Sequence, residues 1–144
     1  MPKRSLEDFT LGEQAEFART FTEIDVAQFV GMTWDVNPYH TDAEFCRTHR
    51  VGARIVPGLL VGSMLTHIGG LAAVLASHIT FEFIAPVFIG DTIIATCTIV
   101  ETDPTRGWAR IELICTNQHG DQVSRGEARG YPMLWKDRLR ESAA

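Results

Sequence analysis

Pro57-Gly58-Leu59-Leu60-Val61-Gly62-Ser63-Met64-Leu65-Thr66-His67-Ile68-Gly69-Gly70 reads as one helix with apolar groups nearly all round it. Leu59, Leu60, Val61, Met64, Leu65 and Ile68 carry the bulk, and Gly62, Ser63 and Thr66 add only small side chains. A helix that is apolar on every side is normally buried, so another layer must wrap it. Pro57-Gly58 opens the element and Gly69-Gly70 closes it. His67 reads as a core histidine with a satisfied hydrogen bond. The surrounding apolar run, Ile55 to Leu65, is interrupted by Pro57, Gly58 and Gly62 and is too short to span a bilayer.

The wrapping layer lies in the second half of the chain. Segments 71–76, 77–85, 92–101, 108–117 and 122–134 read as strands, with turns at Asp103-Pro104 and His119-Gly120-Asp121. Residues 15–21 add a strand before the helix. Thr22-Glu23-Ile24-Asp25 resembles a capping box, and a helix follows from about Glu23 to Trp34. Pro38 disfavours helical geometry at Asn37, so the chain turns out there. A short helical piece begins near Asp42. These elements predict an α+β domain spanning 1–144, a long antiparallel sheet around one buried helix.

Composition narrows the function. The net charge of −5 and the absence of a basic stripe disfavour nucleic acid as a partner. Arg47, Arg50 and Arg54 form a local basic cluster. They read first as a solvated loop and secondly as a phosphate contact. Cys46, Cys97 and Cys115 have neither zinc nor disulfide spacing and fit a reducing, cytoplasmic setting. Met1 to Gln14 carries no apolar stretch of the signal-peptide kind. Motifs for dinucleotides, P-loops and α/β-hydrolases are absent.

The chemistry gathers at Asp35-Val36-Asn37-Pro38-Tyr39-His40, where a carboxylate and an imidazole follow an apolar segment. Two titratable groups aimed at one spot can move a proton to and from water. A metal site from Asp35, His40 and Asp42 is possible in residue type, but no recognised ligand spacing supports one. Without the Asn37-Pro38 context, Asp35 would read as a helix-end carboxylate and His40 as a loop residue.

Asp-x-Asn-Pro-x-His at 35–40 resembles the signature of MaoC-like (R)-specific enoyl-CoA hydratases. Ile55-Val56-Pro57-Gly58-Leu59-Leu60 is similar to that family's helix opening, and Pro86-Val87-Phe88-Ile89-Gly90-Asp91 to a turn of hot-dog proteins. The resemblance runs from about Phe9 to Tyr131. It implies a hot-dog fold, a curved antiparallel sheet wrapped around a central helix, in a homodimer or dimer of dimers joined at sheet edges. It implies syn hydration of a trans-2-enoyl thioester, carried on coenzyme A or acyl carrier protein, with no further cofactor or metal and no membrane partner. Asp35 and His40 match the catalytic pair. Gly58 matches the backbone N–H donor to the thioester carbonyl. Asn37 matches a loop support, and Thr66 a hydroxyl near the catalytic acid. Arg47, Arg50 and Arg54 become candidate contacts for coenzyme A phosphates. Three departures stand out: Pro57 replaces the usual His before the motif Gly; the connection from Gly69 to Ser77 is several residues shorter than in those hydratases and lacks their Pro-Gly loop; and Trp34 precedes Asp35, where its ring would narrow the site or pack in the core.

Hydration of a conjugated thioester requires a base for water, an acid for the α-carbon and a donor for the charge on the thioester oxygen. Imidazoles titrate near neutrality and suit the first task; a neighbouring carboxyl suits the second. The sequence leaves open which of Asp35 and His40 is base and which is acid. A helix N-terminus supplies the third, and losing such a donor costs roughly 3 kcal/mol of transition-state stabilisation. The competing readings are a hot-dog thioesterase and a non-catalytic acyl-thioester-binding subunit. The absence of Asp and Glu from 58–70 disfavours the thioesterase.

Overall fold

Alternating apolar and polar residues in the second half of the chain produce long antiparallel strands. The computed structural model describes residues 5–132. Its strands are β1 (Gln14–Thr20), β2 (Leu75–Phe83), β3 (Thr92–Asp103), β4 (Trp108–Thr116) and β5 (Gln122–Tyr131), in one antiparallel sheet of order β1-β3-β4-β5-β2. On β3, Ile93, Ala95, Cys97 and Ile99 all turn inward and are buried, as the two-residue period requires. Leu113 and Cys115 do the same on β4. Residues 133 and 134 of the expected last strand lie outside the described residues.

The N-terminal helix α1 (Glu23–Thr33) begins where the sequence placed it. Thr22 Oγ1 accepts the Asp25 N–H at 3.3 Å, and Asp25 Oδ2 accepts the Thr22 N–H at 2.8 Å. That second bond, with Arg19 alongside, holds the Asp25 carboxyl below its ordinary pKa. Two short helices follow, α2 (Pro38–Thr41) and α3 (Ala43–Arg47), the latter capped by Asp42 Oδ1.

The expected single central helix is two, α4 (Gly58–Gly62) and α5 (Met64–Leu71), meeting at Ser63. Side-chain hydroxyls on backbone carbonyls account for the break: Ser63 Oγ donates to the Leu60 carbonyl and Thr66 Oγ1 to the Ser63 carbonyl, each at 2.6 Å. Gly69-Gly70 does not end the element. It ends at Ala72, with Ala73 left-handed at φ 54°. Of the expected strand at 71–76 only Leu75 and Ala76 are strand, as the start of β2; Leu71 is helical, and the N–H groups of Ala73 and Val74 close a turn on Gly70 and Gly69. The two strands expected over 71–85 are the single strand β2, with an irregularity between Ala76 and His78.

The helices pack on the inner face of the sheet. Leu60, Val61, Met64 and Leu65 are buried against Ile93, Ala95, Leu113 and Val123. Enclosure within one chain covers one side only, since Leu59 and Leu71 are 61% and 64% exposed. His67 is not a core residue: it is exposed and stacks on Phe17 with ring centroids 4.0 Å apart. Glycines set the packing depth. A Cβ on Gly62 would lie 2.8 Å from the Phe81 ring, and one on Gly58 would lie 2.9 Å from Phe83. A Cβ on Gly126 would strike Phe81 and the Thr80 carbonyl. Cys46, Cys97 and Cys115 are free and buried. Burial pushes the Cys97 thiol up to about 12 and Cys115 up to about 11, so both pack as neutral apolar groups near neutral pH.

Gly126→Ala forces the Phe81 ring or the β2 backbone to move. The expected cost is about 1–3 kcal/mol, the range for overpacked cores, read as a lower midpoint in urea denaturation.

Candidate active site

Each group of the 35–40 segment is held by its local turn. Trp34 ends α1 in the left-handed conformation, φ 59°, and swings the chain out of the helix. Its indole is 83% exposed, so it neither packs in the core nor lines the site cavity. Asp35 follows at once. Its Oδ1 accepts the Asn37 N–H at 3.3 Å, which leaves Oδ2 facing His40. Asn37 caps α2 by accepting the Tyr39 N–H at 3.1 Å, and Pro38 occupies the first helical position. This short helix delivers His40, which is buried.

The His40 ring is locked by one bond. Nδ1 lies 2.9 Å from the Ile55 carbonyl oxygen. A carbonyl only accepts, so Nδ1 carries a proton, and in the neutral ring the lone pair is on Nε2, on the other side. That lone pair faces Asp35, with Nε2 3.6 Å from Oδ2. The separation is too long for a good direct hydrogen bond, yet a single water can reach both atoms.

Asp35, His40 and Gly58 line one cavity of about 510 Å³. Gly58 stands first in α4, ahead of Leu60 and Val61, whose N–H groups bond the Pro57 carbonyl. Its own N–H therefore has no intrahelical acceptor. Pro57 takes the N-cap position, and the Gly58 N–H is intact.

Other expected site residues lie apart. Asn37 acts through its cap on α2. Thr66 lines a second cavity of about 430 Å³, with Leu65, Ile68 and Gly69. Arg47 makes two bonds to Glu44, at 3.0 and 2.6 Å, and Arg54 pairs with Glu23. Neither these two nor Arg50 lines the cavity that holds Asp35. Sequence reading missed three contributors: the Ile55 carbonyl, the Phe83 ring and Ser124. Backbone acceptors have no sequence signal, and the other two enter only through strand register.

A sheet of this order around a short central helix, with such a cavity at the helix opening, is the hot-dog architecture. Solved structures share it. R-Hydratase PhaJ1 from Pseudomonas aeruginosa in the unliganded form matches with a TM-score of 0.83 at 26% identity, covering 90% of this chain and 86% of that one. The chain belongs to the MaoC-like domain family, whose model matches residues 8–121. An (R)-specific enoyl-CoA hydratase of Rhodospirillum rubrum is 32% identical over 127 residues, 85% of this chain and 87% of that protein. A 3-hydroxybutyryl-CoA dehydratase of Methylorubrum extorquens is 34% identical over 122 residues, 81% of this chain and 76% of that protein.

The tautomer is directly measurable. Long-range proton–nitrogen correlation of the imidazoles is expected to show neutral His40 protonated at Nδ1; an Nε2–H form would contradict the Ile55 bond.

Proposed function

We propose that the protein adds water to a trans-2-enoyl thioester to give a (3R)-3-hydroxyacyl thioester, or removes it in reverse. It is a hydro-lyase, the class to which its named hydratase and dehydratase relatives belong. One observation carries the assignment: His40 Nε2 and Asp35 Oδ2 are 3.6 Å apart in the cavity that Gly58 also lines.

Water held between the two groups gives a proton to His40 as its oxygen attacks C3. Asp35 delivers a proton to C2. The pair thus takes one proton and returns one, and passage of the proton from His40 to Asp35 through the next water restores both groups. Because base and acid are adjacent, hydroxyl and proton arrive on the same face of the double bond, which accounts for syn addition. Charge gathering on the thioester oxygen meets the Gly58 N–H. A thioesterase reading gains nothing from α4 and α5, which contain no carboxylate.

The acyl carrier, coenzyme A or acyl carrier protein, enters as part of the substrate. Arg50, with no ion pair among the described residues, is the first candidate to meet its phosphates. The working unit is a homodimer joined along β2. That strand is a sheet edge and leaves Leu75, Ile79 and Phe83 41–53% exposed. A two-fold antiparallel pairing centred near Ile79 would set Phe83 opposite the partner's Leu75. The Asp35 cavity, which Phe83 lines, would then abut the partner's apolar cavity, giving the acyl tail a slot and bringing the partner's Thr66 toward the reaction.

Asp35→Asn and His40→Ala should each lower the hydration rate by roughly 10²–10⁴-fold without unfolding the protein. Loss of conjugated enoyl-thioester absorbance measures this, and normal turnover in both variants would refute the assignment. Ile79→Asp places a charge in the proposed seam; light scattering should then report a monomer where the parent protein is a dimer.

A further inference from the structure

Ser124 is a buried polar residue with no stated purpose. It is 1% exposed, and its Oγ has no hydrogen-bond partner. Among the described residues only Trp108 Nε1 shares that condition, and Trp108 lies outside both cavities. Leaving a hydroxyl buried and unpaired destabilises the folded protein. If Ser124 only filled space, alanine or cysteine would serve without that cost.

Register locates the hydroxyl. Ser124 pairs with Cys115 on β4 and with Phe83 on β2. Directly opposed residues in a sheet share a face. Cys115 is fully buried in the core, and the Phe83 ring is the one pressed against Gly58. Ser124 therefore faces inward, one strand away from the ring that covers the start of α4. It lines the same cavity as Asp35, His40 and Gly58. The pairing of β4 and β5 shifts beside it, between Cys115 and Thr116. Irregularities of this kind re-aim side chains next to active sites. Cys115, its neighbour on β4, is a neutral thiol and makes no hydrogen bond to it.

We propose that the Ser124 hydroxyl donates a hydrogen bond to the thioester carbonyl oxygen of the substrate, as a second donor beside the Gly58 N–H. The inference rests on the hydratase reading above and adds to it a residue that contacts the substrate. Its bond strengthens as negative charge builds on the oxygen, so the effect falls on the transition state more than on substrate binding. The site offers Ser124 no other acceptor among the described residues, and the substrate supplies one.

Ser124→Ala, assayed with crotonyl-CoA and longer trans-2-enoyl-CoA esters, should lose roughly 10²-fold in kcat while KM changes little. The thermal midpoint without ligand should stay level or rise, because an unpaired buried hydroxyl has gone. The pH–rate profile should keep its shape, since Asp35 and His40 are untouched. Ser124→Thr, which keeps a hydroxyl, should recover part of the rate. Should the alanine variant not fold, Ser124→Cys, nearly isosteric and a weak donor, takes its place with the same expected loss. Turnover within about twofold of the parent in the folded variant overturns the role of Ser124 and leaves the hydratase reading standing. A parent protein inert toward every enoyl-CoA overturns both.

Discussion

The contact between bare glycine backbone and two aromatic rings governs this protein. Phe81 and Phe83 point inward from β2, and α4 can settle on them only because Gly58 and Gly62 present no side chain. Gly126 on β5 gives Phe81 room from the other side. The depth of the helix follows from these contacts, and so does the position of its first N–H group. A methyl group at any of these glycines would lift the helix or push the strand, because close-packed interiors have little slack.

The second constraint is the bond from His40 to the Ile55 carbonyl. Ile55 is itself fixed: its N–H bonds the Tyr39 carbonyl at 3.0 Å, and it bridges to Phe88. The next residue, Val56, donates to Val87 at 2.7 Å. The imidazole is thus tied through Ile55 and Val56 to the segment after β2, and Ile55-Val56 itself runs through Pro57 into α4. Helix seat and imidazole orientation share one scaffold, so the His40 ring and the Gly58 N–H keep a constant relation. Catalytic groups work best when surrounding structure holds them in this way.

Parts of this arrangement are legible before any coordinates. The Thr22 and Asp25 capping box and the strands from Thr92 onward come from local chemistry and occur where that chemistry puts them, whereas the chain leaves α1 already at Trp34 and Pro38 opens α2. The segment after the central helix was misread. Leu71-Ala72-Ala73-Val74 is apolar and short, and such a run suits helix, turn or strand equally. Contacts made by α5 and the turn onto Gly69 and Gly70 decide among them. The break at Ser63 was hidden for a similar reason, since a hydroxyl bonding its own backbone competes with helix geometry in a way that apolar periodicity does not register.

Sequence alone determined which residue types stand together along the chain: a carboxylate and an imidazole five residues apart, a proline between them, and an apolar helix that had to be covered. Those are short-range facts, set by covalent spacing and backbone preference. Tertiary structure alone decided that the His40 lone pair faces Asp35, that Thr66 lies in a different cavity, and that Ser124 comes to lie beside Phe83. Each of these depends on strand register or on a carbonyl far along the chain. Such pairings are chosen by the energy of the whole packed core and leave no mark in the local sequence.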